Sequence, residues 1–144
     1  MIMKTMMPGE VWMGRLPHGC DLLEALNRIC REQGIRLGRI EGLGAVKKAR
    51  LGFYDQTRRE YDFLDFAQPL EIVQLVGNVS MKEGEPFVHV HLTLADHEGR
   101  AFGGHLAPGT EVFAAEVVIQ GLTGTPLHRG WDEETGLPLW GEEG

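Results

Sequence analysis

Helical periodicity occurs in one segment of this sequence, residues 20–33, and strand-like patterns follow it for most of the remaining chain. Apolar residues recur there at helical spacing and form one stripe: Leu22, Leu23, Leu26, Ile29 and Cys30. Asp21 lies where a carboxylate favours a helix N-terminus, and Gly34 lies where a left-handed residue ends many helices. One helix followed by many strands predicts an α+β fold with a largely antiparallel sheet.

Strands are predicted on both sides of the helix from runs of apolar and β-branched residues. The predicted segments are 11–16, 35–41, 45–54, 59–66, 70–81, 87–95, 101–106 and 111–122. Gly42-Leu43-Gly44 separates two of them and is expected to form a bulge or a tight bend. Segment 70–81 is so rich in apolar residues, among them Val73 and Val76, that a largely buried strand is expected.

The length of 144 residues suits a single domain. Residues 1–10 are expected to form an N-terminal extension or an edge strand, closed by a turn at Pro8-Gly9. Residues 11–144 are then one domain, which ends in a turn-rich tail from residue 123. Glycine accounts for 20 residues, and their positions indicate backbone shaping at turns and close approaches rather than a flexible tether.

The charge balance argues against non-specific binding of nucleic acid. The chain carries 14 Lys and Arg against 21 Asp and Glu, which gives a net charge of −7. A net acidic surface repels phosphates on average. Two small basic groups occur, one of Lys47, Lys48 and Arg50 and one of Arg58 and Arg59, and both are interpreted as solvated surface.

Cysteine usage and hydropathy indicate a reduced, cytoplasmic compartment and no membrane partner. Cys20 and Cys30 are ten positions apart on the predicted helix, about 15 Å along its axis, which is too far for a disulfide. The N-terminal residues are too short and broken for a signal peptide. No apolar run approaches the roughly 20 residues of a membrane-spanning helix.

The residues that carry chemistry are His89 and His91. Side chains alternate along a strand, so both imidazoles leave the same face, about 6 to 7 Å apart at Cα. His105 follows a hairpin-like segment, and an antiparallel return brings it back toward the first two. Gly103 and Gly104 are expected to let the backbone approach there. Three neutral imidazoles with an open fourth position predict a divalent metal site, with zinc as the expected ion.

Other histidines and other motifs carry less information. His18, His97 and His128 are predicted to be solvated rather than ligating. A cupin also begins its metal motif with His-x-His, but it needs a glutamate where this chain has Ala95 and Asp96, so a cupin is the weaker alternative. No dinucleotide fingerprint, P-loop, Cys-x-x-Cys pair or nucleophile elbow occurs.

The histidine motif and its flanks resemble a known family. His-Val-His-Leu-Thr-Leu-Ala-Asp at 89–96, Gly-Arg-Ala-Phe-Gly-Gly-His-Leu at 99–106 and Ala-Glu-Val-Val-Ile at 115–119 are similar to the PPC domain, named for plants and prokaryotes. The resemblance implies an α+β unit with an antiparallel sheet that associates as a homotrimer. It also implies zinc binding through His89, His91 and His105, as in several prokaryotic members, and a trimer would repeat that site three times.

Three functions stay open from the sequence, and a small-molecule ligand is not identified. The first is a metal-binding PPC-domain protein of undetermined activity. The second is a DNA-associated regulator, by analogy with plant members that carry an AT-hook, although this chain has no Arg-Gly-Arg-Pro core. The third is a zinc-dependent hydrolase or lyase, in which Glu71 or Glu116 assists a zinc-bound water.

Overall fold

The computed structural model describes residues 1–141, which form one nine-stranded sheet and one helix. The predicted α+β fold with a mostly antiparallel sheet is confirmed, because a single strand pairing is parallel among these residues. The elements in chain order are β1 (Met7–Leu16), α1 (Leu22–Glu32), β2 (Gly38–Asp55), β3 (Glu60–Phe66), β4 (Leu70–Lys82), β5 (Glu85–Ala95), β6 (Ala101–Leu106), β7 (Glu111–Thr123), β8 (His128–Asp132) and β9 (Leu137–Trp140).

Helix α1, Leu22–Glu32, lies within the predicted segment 20–33, and both predicted end signals are in place. Oδ1 of the N-cap Asp21 accepts a hydrogen bond of 3.0 Å from the backbone N–H of Glu24. At the other end Gly34 has a φ of +66°, and the next backbone N–H, that of Ile35, donates to the carbonyl of Cys30. Together with the bond from the backbone N–H of Gly34 to the carbonyl of Arg31, this bond closes the C-terminal end of the helix in a Schellman motif. No helix within residues 1–141 has both the length and the apolar character needed to span a membrane.

Strand β2 organises the sheet because it pairs with four other strands. Its first half lies between β7 and β4, and its second half lies between β3 and β6. The expected irregularity at Gly42-Leu43-Gly44 is a bulge inside this one long strand, where the register to β4 shifts. Since β6 pairs with β5 and β5 with β4, the strands β2, β6, β5 and β4 form a closed ring of pairings.

Strand β5 has one face in the core and carries His89 and His91 on the other face. Val88, Val90, Leu92 and Leu94 point inward and are buried, and α1 packs on this side. Oδ1 of Asn27 in the helix accepts a 3.1 Å hydrogen bond from the backbone N–H of Val88, which fixes the helix against the strand. The alternate residues of β5 face the opposite side of the sheet.

Two expectations about individual strands are wrong. The turn expected at Pro8-Gly9 is absent, because β1 starts at Met7 and runs through both residues with a register shift before Val11. Strand β4 is not buried on both faces, since Val73 is 61% and Val76 is 47% exposed. Its apolar run therefore serves two faces, one in the core and one on the surface.

The tail contains more structure than the turns predicted for it. Strands β8 and β9 form an antiparallel hairpin, the tail hairpin, and β8 pairs in parallel with the end of β4. This pairing places Met81 opposite His128 and Lys82 opposite Arg129. Residues 142–144 of the predicted 11–144 domain lie outside the described part of the chain.

Candidate metal centre

The three predicted histidines converge on one side of the sheet. His91 on β5 is directly opposite His105 on β6, and His89 lies two positions before His91 on the same face. One ligand nitrogen from each ring lies within 4.8 Å of the other two, and Nε2 of His89 is 3.2 Å from Nε2 of His91. Two nitrogens on one tetrahedral zinc at about 2.0 to 2.1 Å are about 3.3 Å apart, so this pair fits such an ion.

The double glycine before His105 acts through strand packing. A Cβ on Gly104 would lie 2.9 Å from the carbonyl oxygen of Gly52, and one on Gly103 would lie 3.1 Å from that of Leu92. Gly104 therefore allows β6 to approach β2, and Gly103 allows it to approach β5. The expectation of a close backbone approach holds, and its result is that β6 carries His105 to the position opposite His91.

The environment keeps two of the imidazoles neutral. Burial lowers the pKa of His89 from 6.5 to about 4, with further contributions from Arg129 and from the other two histidines. Burial likewise lowers the pKa of His105, assisted by His91 and Arg129. A neutral imidazole offers one ring nitrogen lone pair, which is the form that a metal ion binds.

One nitrogen of the cluster lacks a partner. Nδ1 of His105 is buried and has no hydrogen-bond partner among residues 1–141. A buried polar atom without a partner is uncommon in folded proteins, and metal binding is one way to satisfy a histidine nitrogen. Together with the three-imidazole donor set, this orphaned atom fits a zinc site. When bound, such an ion polarises a carbonyl group or lowers the pKa of a bound water.

Arg129 is the most important residue that the sequence analysis missed. The tail hairpin carries its guanidinium to the histidines, where Nη2 lies 3.3 Å from Nδ1 of His89 and 3.1 Å from Oδ1 of Asn78. Its Nε donates to Oγ of Ser80 at 2.9 Å. The guanidinium also lies over the rings of Phe87 and Trp140, 5.2 and 5.4 Å from their centroids. Burial lowers the pKa of Arg129.

Tyr61 borders the centre beside His105. Its ring centroid is 5.2 Å from that of His105. A Cβ on Gly52 would lie 2.9 Å from Cδ1 of Tyr61, so the missing side chain at Gly52 makes room for the ring. Burial raises the pKa of Tyr61, which keeps its hydroxyl protonated at neutral pH.

The other candidate residues stay outside the cluster. His97 is 87% exposed in the turn between β5 and β6, as predicted. His18 is exposed, and its Nδ1 lies 2.8 Å from the carbonyl oxygen of Phe113. Glu71 and Glu116 are both exposed, and neither belongs to the group of converging ligand atoms found among residues 1–141.

The basic groups are paired with carboxylates. Lys47 and Lys48 both contact Glu111. In the second group Arg58 contacts Asp55 at 3.0 Å, and it also pairs with Glu60 and Asp62. These ion pairs leave little net positive charge on either surface.

The sequence is similar to a described family and to longer curated proteins. The profile of the Plants and Prokaryotes Conserved (PCC) domain matches residues 3–123. The bifunctional protein GlmU of Synechococcus sp. strain JA-3-3Ab is 36% identical over 129 residues, which are 88% of this chain and 20% of that protein. The chain thus spans about a fifth of the length of the curated relatives it matches.

Solved structures share the whole fold. A metal-containing protein from Archaeoglobus fulgidus is 42% identical with a TM-score of 0.94, covering 99% of this chain and 100% of that one. A plant- and prokaryote-conserved (PPC) protein from Pyrococcus horikoshii is 37% identical with a TM-score of 0.93, at 99% and 98% coverage. A protein from Bacteroides thetaiotaomicron described as a candidate DNA-binding protein is 26% identical with a TM-score of 0.86, at 97% and 99% coverage.

Proposed function

Because this chain belongs to the Plants and Prokaryotes Conserved (PCC) domain family, as the resemblance predicted, we propose that it is a zinc-binding protein of that family. The proposed ligands are His89, His91 and His105. The observation that carries the proposal is the convergence of three ring nitrogens within 4.8 Å on one face of the sheet.

The donor set supports zinc over harder ions. Neutral imidazoles suit zinc and other borderline divalent metals, whereas magnesium and calcium prefer oxygen ligands. No carboxylate joins the three histidines within residues 1–141. The metal-containing relative from Archaeoglobus fulgidus, with 42% identity, also supports a metal in this fold.

Metal analysis of protein purified without a polyhistidine tag tests the proposal. After zinc loading and dialysis we expect one zinc ion per chain, and His91→Ala should lose it. His97→Ala is the matched control, because His97 is exposed and lies outside the cluster. Absence of zinc from the wild-type protein, or its retention in His91→Ala, would contradict the proposal.

We further propose that the chain forms a homotrimer through an exposed apolar surface. Four apolar side chains on β1, β2 and β4 are largely solvent-exposed and define this outer apolar patch: Met13, Leu43, Val73 and Val76. Met13 and Val76 lie in one row across the sheet, separated by Val118 and the exposed Glu41, and exposed apolar surface often marks an interaction site. In register, Val76 is opposite His91, so the patch borders the candidate metal centre.

Light scattering coupled to size exclusion tests the trimer. We expect the wild-type chain to elute with the mass of three copies, and Leu43→Glu to shift it to one copy. Met3→Glu is a control, since Met3 is exposed outside the outer apolar patch. A monomeric wild-type protein at all concentrations would exclude the trimer.

A cytoplasmic location is proposed from the cysteines. Both Cys20 and Cys30 are free thiols. Free thiols persist in reducing compartments, where disulfides are rare. Fractionation of the producing cells tests the location, and we expect the protein in the cytoplasmic fraction.

DNA association is the second candidate function, motivated by the relative from Bacteroides thetaiotaomicron. The paired basic groups and the net charge of −7 weigh against it. The affinity for a DNA duplex, measured at two salt concentrations, tests this second candidate function. Binding that weakens steeply with salt would support DNA association, because it reports release of counterions from phosphates. Affinity equal to that of an acidic control protein would exclude it.

A further inference from the structure

A cleft adjoins the histidine cluster on the side of the tail hairpin. Its volume is about 400 Å³, which is within the range of small-molecule sites. The polar side chains that line the cleft also belong to the candidate metal centre, and the other lining side chains are apolar. The lining residues are Ile2, Asn78, His89, Arg129, Leu139 and Trp140.

The guanidinium of Arg129 brings a positive charge into the cleft. Within residues 1–141 no carboxylate lies within ion-pair distance of Arg129, and its hydrogen-bond partners are neutral. Four of the five guanidinium N–H groups have acceptors: Ser80, Pro138, Asn78 and His89. One N–H on Nη1 is therefore left for another acceptor.

Metal binding at His89 changes this arrangement. Without metal, Nδ1 of His89 must be the acceptor from Arg129, because a guanidinium only donates. A metal bound to Nε2 would take the lone pair there, and the proton of the neutral ring would then sit on Nδ1. Nδ1–H of His89 and an N–H of Arg129 would then face each other as two donors, and both would need an acceptor.

We propose that this cleft binds a small organic carboxylate, whose oxygens accept hydrogen bonds from Arg129 and from Nδ1–H of His89. The inference rests on the proposed zinc site, since the metal sets the donor character of Nδ1. A carboxylate supplies two oxygens and a negative charge, which matches the planar guanidinium fork. Ligating histidines generally donate their second N–H to an acceptor such as a carboxylate.

The apolar side chains that line the cleft indicate the chemistry of the rest of the ligand. Ile2, Leu139 and Trp140 line the cleft beside the guanidinium, and the ring of Trp140 already packs against it. These side chains have no charge to offer a second anionic group. The ligand is therefore a monocarboxylate with a short hydrocarbon portion against these apolar side chains.

Calorimetric titration with butanoate tests the inference, with butanamide as the neutral analogue of the same shape. Zinc-loaded wild-type protein should bind butanoate and bind butanamide much more weakly. Arg129→Gln should weaken butanoate binding about 10- to 100-fold, the usual effect of losing a charged hydrogen bond, while keeping its zinc. Arg36→Gln is the matched control, because Arg36 is exposed and does not line the cleft.

A second measurement needs no variant. Because two linked ligands strengthen each other's binding equally, butanoate should raise the zinc affinity of the wild-type protein. Zinc binding without butanoate binding, equal affinity for butanamide, or unchanged affinity in Arg129→Gln would each overturn this inference alone. Absence of zinc from the wild-type protein would overturn the proposed function and this inference with it.

Discussion

Gly77 on β4 lies so close to His89 on β5 that a Cβ at Gly77 would be 2.2 Å from the carbonyl oxygen of His89. Any side chain at this position must therefore push the two strands apart. We expect Gly77→Ala to lower the free energy of unfolding by about 2 kcal/mol or more, measured by urea denaturation, as overpacking does. It should also weaken zinc binding, because the strand that carries His89 and His91 moves.

Gly14→Ala is the matched control for this substitution. Gly14 also lies in a strand, but a Cβ there meets no atom within 4 Å. We expect its unfolding free energy to stay at the wild-type value or to rise slightly, because alanine has less backbone freedom to lose. Equal unfolding free energies for the two variants would show that the strands adjust to alanine at position 77 without loss of stability.

Zinc should stabilise the wild-type protein and not His105→Ala. A ligand that binds only the folded state adds about 2.7 kcal/mol at a free concentration 100 times its dissociation constant. Without metal, His105→Ala removes a buried nitrogen that has no partner among residues 1–141, so its cost is limited to lost packing. Thermal unfolding of both proteins with and without zinc measures this, and equal zinc-induced shifts in Tm would contradict it.

The metal-free protein should lose stability as the pH falls from 6.5 to 4. In this window the unfolded chain protonates His89 at its ordinary pKa of 6.5, whereas burial holds the folded pKa at about 4. The unfolded state then binds more protons, so acid favours it and lowers the free energy of unfolding. Urea denaturation across the window measures the loss, and His89→Gln should lose less. Identical pH dependence of the two proteins would contradict the prediction.

The histidine cluster was predictable because its geometry is local. The alternation of β5 places His89 and His91 on one face, and a short hairpin returns His105 to the position opposite His91. The helix was predictable for the same reason, since Asp21 and Gly34 mark its ends within the sequence itself.

What the sequence did not predict depends on contacts between distant segments. Arg129 reaches the histidines through a five-residue strand that pairs in parallel with β4, about 50 positions earlier in the chain. Such a short strand between turns has little periodicity of its own. The exposure of Val73 and Val76 was not predictable, because an apolar run does not distinguish a core face from an exposed apolar face.

Asp21 should matter more than an ordinary helix cap. Its Oδ1 accepts from the backbone N–H of Glu24, and its Oδ2 accepts from that of Gly109 at 2.6 Å. We expect Asp21→Ala to lower the free energy of unfolding by about 1 to 3 kcal/mol, since a cap and a second hydrogen bond are both lost. Asp21→Asn keeps one acceptor and should lose less. A cost for alanine no larger than for asparagine would show that the hydrogen bond that asparagine retains contributes nothing.

Cys30 should resist alkylation in the folded protein. Burial in the core raises the pKa of its thiol to about 12, and the thiolate is the reactive form. We expect iodoacetamide to label Cys30 only after denaturation, as followed by peptide mass spectrometry, and to label the less buried Cys20 faster in the native state. Labelling of both thiols at equal rates in the native protein would indicate that α1 opens readily.

The tail hairpin is tied to β4 by two register pairs, whereas β2, β6, β5 and β4 close on one another. Local unfolding of the hairpin therefore needs far less free energy than unfolding of the ring. It removes Arg129 from the centre while the three imidazoles stay in place. We expect amide hydrogen exchange to be fast in β8 and slow in β5, and the histidine cluster to exist in two forms, one with the guanidinium of Arg129 beside it and one without.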